Sequence, residues 1–220
     1  MAGSLINWQD PVFARDWIQN KTRSGNQTRV EQIAILIELI SVLQADGHRI
    51  LDLGCGDAAI SEMLLTRFPS SYVVGLDVSS PMLEEARARL SPFAGRFTLL
   101  AHDLREAYAA LFDLETFDVV VGIQSVHHLT AGEKQDLFKW VSLLLRDGGL
   151  FLLADRVKLA SAALFPFHLR LWDRLQRISG DHAAAPGYSY DDHLVGCAMR
   201  GDMPDTSNSP FRFLPRAEVG

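Results

Sequence analysis

Leu51-Asp52-Leu53-Gly54-Cys55-Gly56-Asp57-Ala58 is the stretch on which the fold turns. It completes the apolar run Arg49–Leu53, read as a strand, and opens the run Ala58–Phe68, read as a helix. Glycines at such a junction let the backbone turn tightly and admit a ligand where a Cβ would stand in the way. The helix that follows aims free N–H groups and the positive end of its dipole at the same place. A ligand is therefore expected at the carboxyl end of this strand.

Working outward, the same alternation repeats. Tyr72–Leu76 reads as a strand, then Ser80 caps and Pro81 opens a helix running to Leu90. Arg96–Ala101 is a strand and Arg105–Phe112 a short helix. Phe117–Ile123 is a strand with an almost continuous apolar run, and Thr130-Ala131-Gly132-Glu133 fits a capping box for a helix reaching Leu145. Asp147-Gly148-Gly149 reads as a turn before the strand Leu150–Ala154. Strand–helix alternation with unbroken apolar strands predicts an α/β fold, a parallel sheet buried on both faces.

Upstream, residues 28–45 follow helical periodicity, with Ile33, Leu36, Ile37, Ile40 and Leu43 on one face and Asp46-Gly47 as the stop. Residues 1–27 form a polar cap with Trp8, Phe13 and Trp17. Downstream, Ser161–Ile178 reads as a helix whose stripe is Leu164, His168, Leu171, Leu175 and Ile178. Residues 179–210 read as an irregular lid containing Tyr188 and Tyr190. The expected units are a helical cap at 1–45, a ligand-binding core at 46–156 and a helix plus lid at 157–220.

Composition narrows the function classes. The 220 residues are 48% hydrophobic and 22% charged, with a formal net charge of -6, which argues against a general nucleic-acid binder. Two cysteines, Cys55 and Cys197, make no disulfide framework and no metal-ligand spacing. They read as reduced thiols of a cytoplasmic protein. The start MAGSLINWQDP lacks the pattern of a signal peptide, and Glu38 interrupts the apolar run near Ile33–Ile40, well short of the ~20 residues of a membrane span.

The glycine motif alone leaves two readings open. Gly54-Cys55-Gly56-Asp57-Ala58-Ala59 also fits a dinucleotide-binding GxGxxG/A pattern, and Asp77 ends the second strand where an acid binds ribose hydroxyls in either case. Three features together resemble class I S-adenosylmethionine-dependent methyltransferases: the motif LDLGCG with Asp52 before the first glycine, the strand end Ala101-His102-Asp103-Leu104, and the pattern from Phe117-Asp118-Val119-Val120-Val121-Gly122-Ile123-Gln124-Ser125-Val126-His127-His128-Leu129 to Leu144-Leu145-Arg146-Asp147-Gly148-Gly149-Leu150. The resemblance covers roughly residues 30–156.

That resemblance implies a Rossmann-like three-layer sandwich and S-adenosyl-L-methionine as cofactor. It implies that Gly54 and Gly56, with Cys55 between them, pass under the methionine part, and that Asp52 sits near its amino group. Asp77 would take both ribose hydroxyls, Val78 and Met82 would flank the adenine, and Asp103 would accept from the adenine amino group beside Leu104. Gln124 would line the floor. The family pattern is departed from at Ala58, where a third glycine is usual. No pair of β-rich runs follows Asp155, so the sheet is expected to lack the last two of the usual seven strands, as a fragment or shortened variant would. An edge left open in this way invites a homodimer.

Each acid also has a structural reading: Asp52 as a bond to turn amides, Asp103 as a helix cap, Asp77 as a loop acid. Met82 divides between core and adenine contact. His127 and His128 follow the fourth strand, where an imidazole could take a proton from an acceptor. His168, Trp172, Tyr188, Tyr190 and His193 could line an acceptor pocket or simply pack. Asp181, His182, Asp191, Asp192 and His193 cluster without a trusted metal-ligand spacing. The expected activity is methyl transfer to a small molecule. The rivals are a non-catalytic scaffold of the same fold and a nicotinamide-dependent oxidoreductase, although no Tyr and Lys pair at helical spacing supports hydride transfer.

Overall fold

A computed structural model describes residues 10–12, 14–15, 18, 27–42, 47–106, 111–114, 116–155, 157–159, 161–179, 189–191 and 203–204. Helix α1 (Gln27–Ser41) leads into strand β1 (Arg49–Leu53) and helix α2 (Ala59–Arg67). Then follow β2 (Tyr72–Asp77), α3 (Ser80–Leu90), β3 (Phe97–Ala101), β4 (Phe117–Ile123), α4 (Ala131–Leu144) and β5 (Leu145–Ala154). The two-residue strands β6 (Val157–Lys158) and β7 (Met203–Pro204) pair with each other, and α5 (Phe165–Ser179) lies between them in sequence.

The sheet is parallel, in the order β3-β2-β1-β4-β5. Side chains alternate between two cores. Ile50, Val73, Val119, Val121 and Ile123 join Ile33, Leu36 and Ile40 of α1, Leu64 and Leu65 of α2, and Ala86 and Leu90 of α3. Leu51, Leu53, Val74, Leu76 and Val120 join Leu137, Val141 and Leu144 of α4 on the other side. Helices thus cover both faces, which is the expected three-layer sandwich and the reason the strands read as apolar runs.

Several local readings shift. The cap of α3 is Ser79, whose hydroxyl accepts from the Met82 N–H at 3.4 Å, so Ser80 and Pro81 already lie inside the helix. The capping box of α4 forms as expected: the Glu133 N–H donates to the Thr130 hydroxyl at 3.4 Å, and the Thr130 N–H to Glu133 Oε2 at 2.7 Å. Within the expected helix Arg105–Phe112, the described residues form turns, and 107–110 lie outside the described residues.

The Asp147-Gly148-Gly149 turn proves to be an irregularity inside β5, not a stop before it. Pairing jumps from Phe117↔Leu145 to Val119↔Leu150, so residues 146–149 stand opposite Asp118 alone. Asp118 secures that bulge by accepting from the Arg146 guanidinium at 2.9 Å and from the Arg49 N–H at 2.7 Å. Phe117, beyond the irregularity, faces the core opposite to Val119.

Two members of the stripe expected on α5 face outward, and the side chains of Leu175 and Ile178 lie outside the described residues. Leu164 and Leu171 are 44% and 58% exposed, whereas Phe165 is buried and meets Tyr190 edge to face. Leu43 and most of the N-terminal cap fall outside the described residues, as do Cys197 and Tyr188. Among the described residues, β5 has β4 as its one sheet neighbour, and no helix is long and apolar enough to cross a membrane.

Leu64 is fully buried between α2 and the sheet. Leu64→Ala is expected to lower the stability of the fold by about 2–5 kcal/mol, seen as a reduced urea midpoint at unchanged slope.

Candidate cofactor and acceptor site

All five strands end on one side of the sheet, and neighbouring strands β1 and β4 send their chains to opposite faces there. This is the switch point where open α/β sheets bind ligands. Two loops meet at it: Gly54–Ala58 after β1 and Gln124–Leu129 after β4.

The first loop is built from left-handed residues. Gly54, Gly56 and Ala58 have φ of 67°, 55° and 58°. A Cβ on Gly54 would lie 2.4 Å from the Cβ of Ser125, so the β4 loop sits directly on this glycine. A Cβ on Gly56 would meet nothing within 4 Å, which leaves open space above that turn. Ala58, where a third glycine is usual in the family, adopts the glycine-like conformation all the same. Its N–H donates to the Cys55 carbonyl at 2.9 Å.

The second loop answers it. Gln124 also has a positive φ, 53°, with its N–H donating to the Ala154 carbonyl at 2.8 Å. The Ser125 hydroxyl donates to the Leu53 carbonyl at 2.6 Å and ties the two loops together. Among the described residues, Ala58 and Gln124 are the two non-glycine residues with positive φ. Backbone strain of this kind costs on the order of 1–3 kcal/mol and gathers at functional sites.

The expected acids take distinct places. Asp77 ends β2 and reaches the loop: its carboxylate accepts from the Gly56 N–H and from the Ser79 N–H, both at 2.8 Å. Burial pushes this carboxyl above the usual carboxylate range, opposed by the backbone bonds from Ser79, Gly56 and Val78, with the charge of Asp57 adding to the rise. Asp52 is buried and accepts from the Ser61 hydroxyl of α2 at 2.6 Å, a partner that sequence spacing did not suggest. It faces the α2 side because Ile50 and Asp52 share one face of β1.

Asp103 holds the turn that follows it, and no helix for it to cap is found among the described residues. It accepts from the Arg105 N–H at 2.9 Å and is forked by the Arg105 guanidinium, which holds it below the usual carboxylate range. Cys55 is buried against the backbone of Gly75, and burial pushes its thiol well up, with Asp52 and Asp77 adding to the rise. Such surroundings disfavour the thiolate form. Met82 is buried, Val78 is exposed, and Leu104 packs at the margin of the α4-side core.

His127 and His128 part company. His127 is buried, and its ring Nδ1 lies 2.6 Å from Asp155 Oδ1 while its backbone N–H donates to Asp155 Oδ2 at 2.8 Å. His128 is exposed, its ring centroid 4.0 Å from that of His127. Asp155, the first residue after β5, was not singled out from the sequence. It lies 28 residues from His127, and only the β4–β5 pairing joins them. Trp172, His182, Asp192 and His193 offer no described side chain, and Tyr190 donates to the Leu159 carbonyl at 3.1 Å. Among the described residues no group of three metal-ligating side chains converges.

Residues 50–149, from β1 into β5, match a family model described as a methyltransferase domain. This segment is a class I S-adenosylmethionine-dependent methyltransferase domain. The match decides between the two readings that the glycine motif left open. The chain is 32% identical over 119 residues to an uncharacterized methyltransferase of Anoxybacillus flavithermus, covering 53% of this chain and 51% of that one. It is 32% identical over 97 residues to a trans-aconitate 2-methyltransferase of Streptomyces avermitilis, covering 43% and 36%. The SAM-bound structure of an amino pentose methyltransferase from Micromonospora echinaspora, involved in calicheamicin biosynthesis, superposes with a TM-score of 0.52 at 29% identity, covering 70% and 58%. The chain thus spans about half the length of the first curated relative it matches. The open space over Gly56 and the acid at the end of β2 fit the cofactor of this family, S-adenosylmethionine.

The raised Asp77 carboxyl has a signed consequence. An acid whose folded-state pKa exceeds its unfolded one stabilises the fold at low pH, and that contribution disappears as pH rises through the folded value. Urea unfolding of the ligand-free domain between about pH 3 and pH 7 should therefore show a component falling with pH that Asp77→Asn removes.

Proposed function

We propose that the domain moves a methyl group from S-adenosylmethionine to a small-molecule acceptor. The observation that carries this reading is the meeting of Gly56 and Asp77, 2.8 Å apart, in a crevice flanked by the strained residues Ala58 and Gln124. When bound, the cofactor supplies an activated methyl group; the protein binds, orients and excludes water.

Gly54 and Gly56 hold the methionine part, and the buried Cys55 keeps the turn packed. Asp52 holds the loop through Ser61. Asp77 exchanges its backbone partners for the ribose hydroxyls, Val78 covers the adenine, and Met82 supports it from the core. Gln124 lines the floor. Asp103 and Leu104 lie at the adenine end, where Asp103 reaches the adenine amino group only by loosening its hold on Arg105.

His127 is the group placed to take a proton from the acceptor. Asp155 occupies Nδ1, which leaves Nε2 as the basic nitrogen and prevents the ring from turning. The loop that carries His127 is seated on Gly54 through Ser125, so base and cofactor cradle move as one unit. His128, exposed beside it, flanks the acceptor entrance. The relatives named for trans-aconitate and for an amino pentose support a small acceptor, as does the acidic balance of the sequence. The same reading places the chain in the cytoplasm, on its two thiols. The flank of β5 without a described partner is where a second copy would add.

Calorimetric titration with S-adenosylmethionine, S-adenosylhomocysteine and NAD tests the cofactor half. The two adenosyl compounds should bind at about micromolar concentration, and Asp77→Ala should weaken both by about tenfold or more. Binding of NAD alone would overturn the reading. Methyl transfer from radiolabelled cofactor to a panel of hydroxy acids and amino sugars tests the acceptor half. On the fastest acceptor, His127→Ala should lower kcat by about 100-fold at unchanged cofactor affinity.

A further inference from the structure

Arg89 lies near the end of α3 and belongs to none of the motifs above, yet each of its three guanidinium nitrogens bonds to the junction between the glycine loop and α2. Nε donates to the Asp57 carbonyl oxygen at 2.8 Å, Nη2 to Asp57 Oδ2 at 2.9 Å and Nη1 to Glu62 Oε2 at 3.0 Å. Asp57 is the last loop residue before Ala58, and its side chain is only 5% exposed. One cation thus grips both the backbone and the side chain of the residue that sets up the strained Ala58.

We propose that Arg89 is a positioning residue of the cofactor site, acting through Asp57. The inference rests on the reading of Gly54–Ala58 as the cofactor loop. Ala58 is held in a conformation that disfavours a residue with a Cβ, and α2 begins there without a side-chain cap. Such a conformation persists only where its surroundings over-determine it. The Asp57 side chain is buried in a site that also holds Asp52 and Asp77, and its charge raises the carboxyl of Asp77. A buried carboxylate in such company needs a paired donor to remain there.

Arg89 supplies that donor in a geometry only a planar fork can match, because its three bonds go to three oxygens of two residues. It also joins the two halves of the site. The helix that carries Arg89 in its last turn begins at the Ser79 cap, whose backbone N–H is held by Asp77. The ribose acid and the end of the glycine loop are therefore braced by the same rigid element.

Calorimetry with S-adenosylmethionine and S-adenosylhomocysteine tests this without knowledge of the acceptor. Arg89→Ala should weaken both compounds by at least about tenfold, the worth of one charge-assisted hydrogen bond. Arg89→Lys, a point charge without the fork, should recover only part of the loss. Asp57→Asn should weaken binding too, and the Asp57→Asn/Arg89→Ala double variant should be no weaker than Arg89→Ala alone, because both act through one contact. Arg87→Ala, two residues away on the exposed side of α3, should bind within about twofold of the parent and controls for effects on the helix itself.

Each titration is run well below the midpoint of thermal unfolding of that variant, so that loss of fold is separated from loss of the loop. If Arg89→Ala binds as the parent does, or if Arg87→Ala is equally impaired, the assignment of Arg89 is overturned. If the parent itself binds neither adenosyl compound, it is the cofactor reading that fails.

Discussion

The contact between Ser125 and Gly54 is the constraint on which the site depends. Strands β1 and β4 are neighbours in the sheet but send their chains to opposite faces, and the crevice between them would gape unless something closed it at the base. Ser125 does so by donating to the Leu53 carbonyl and by occupying the space where a Cβ on Gly54 would stand. The glycine is needed here twice over, for its positive φ and for the approach of the neighbouring loop. From this point the turn through Gly56 faces open space, and the chain after Ser125 carries His127 to its buried pairing with Asp155.

The site is also organised by how its carboxylates are compensated. Four buried or half-buried acids surround the crevice, and each is held by groups from another element: Asp52 by Ser61 of α2, Asp57 by Arg89 of α3, Asp77 by the amides of Gly56 and Ser79, Asp155 by His127. Burial of a charge is costly unless hydrogen bonds replace the lost water. These pairs therefore pin strands and helices to one another around the crevice. Asp77 differs from the others in accepting from backbone donors alone in the bonds described.

The irregularities of the chain fall into two kinds. The bulge at Gly148-Gly149 serves the sheet, because Asp118 needs room to hold Arg146 and the start of β1. The left-handed Ala58 and Gln124 border the crevice, Ala58 buried in the α2-side core and Gln124 bonded through its N–H to the Ala154 carbonyl. Strain at the bulge is relieved by glycine, whereas strain at the crevice is carried by residues with side chains and must be held by their neighbours.

The sequence by itself determined the layered α/β fold, because apolar runs of strand length alternate with capped amphipathic helices, and these signals are local. It also pointed to the candidate cofactor loop, since Gly54, Gly56 and Asp77 stand out by residue type and by their place at strand ends, although the glycine motif alone left two ligands open. Boundaries moved by a residue where two chemically equal caps competed, as at Ser79 and Ser80, and the face of α5 was misread because Leu164, Leu171 and Phe165 are all apolar and periodicity could not rank them. Only the tertiary structure decided the pairs Asp155 with His127, Arg89 with Asp57 and Ser61 with Asp52. Pairs of this kind join residues brought together by strand register and helix packing, and sequence spacing carries no record of which two side chains will share a hydrogen bond across the sheet.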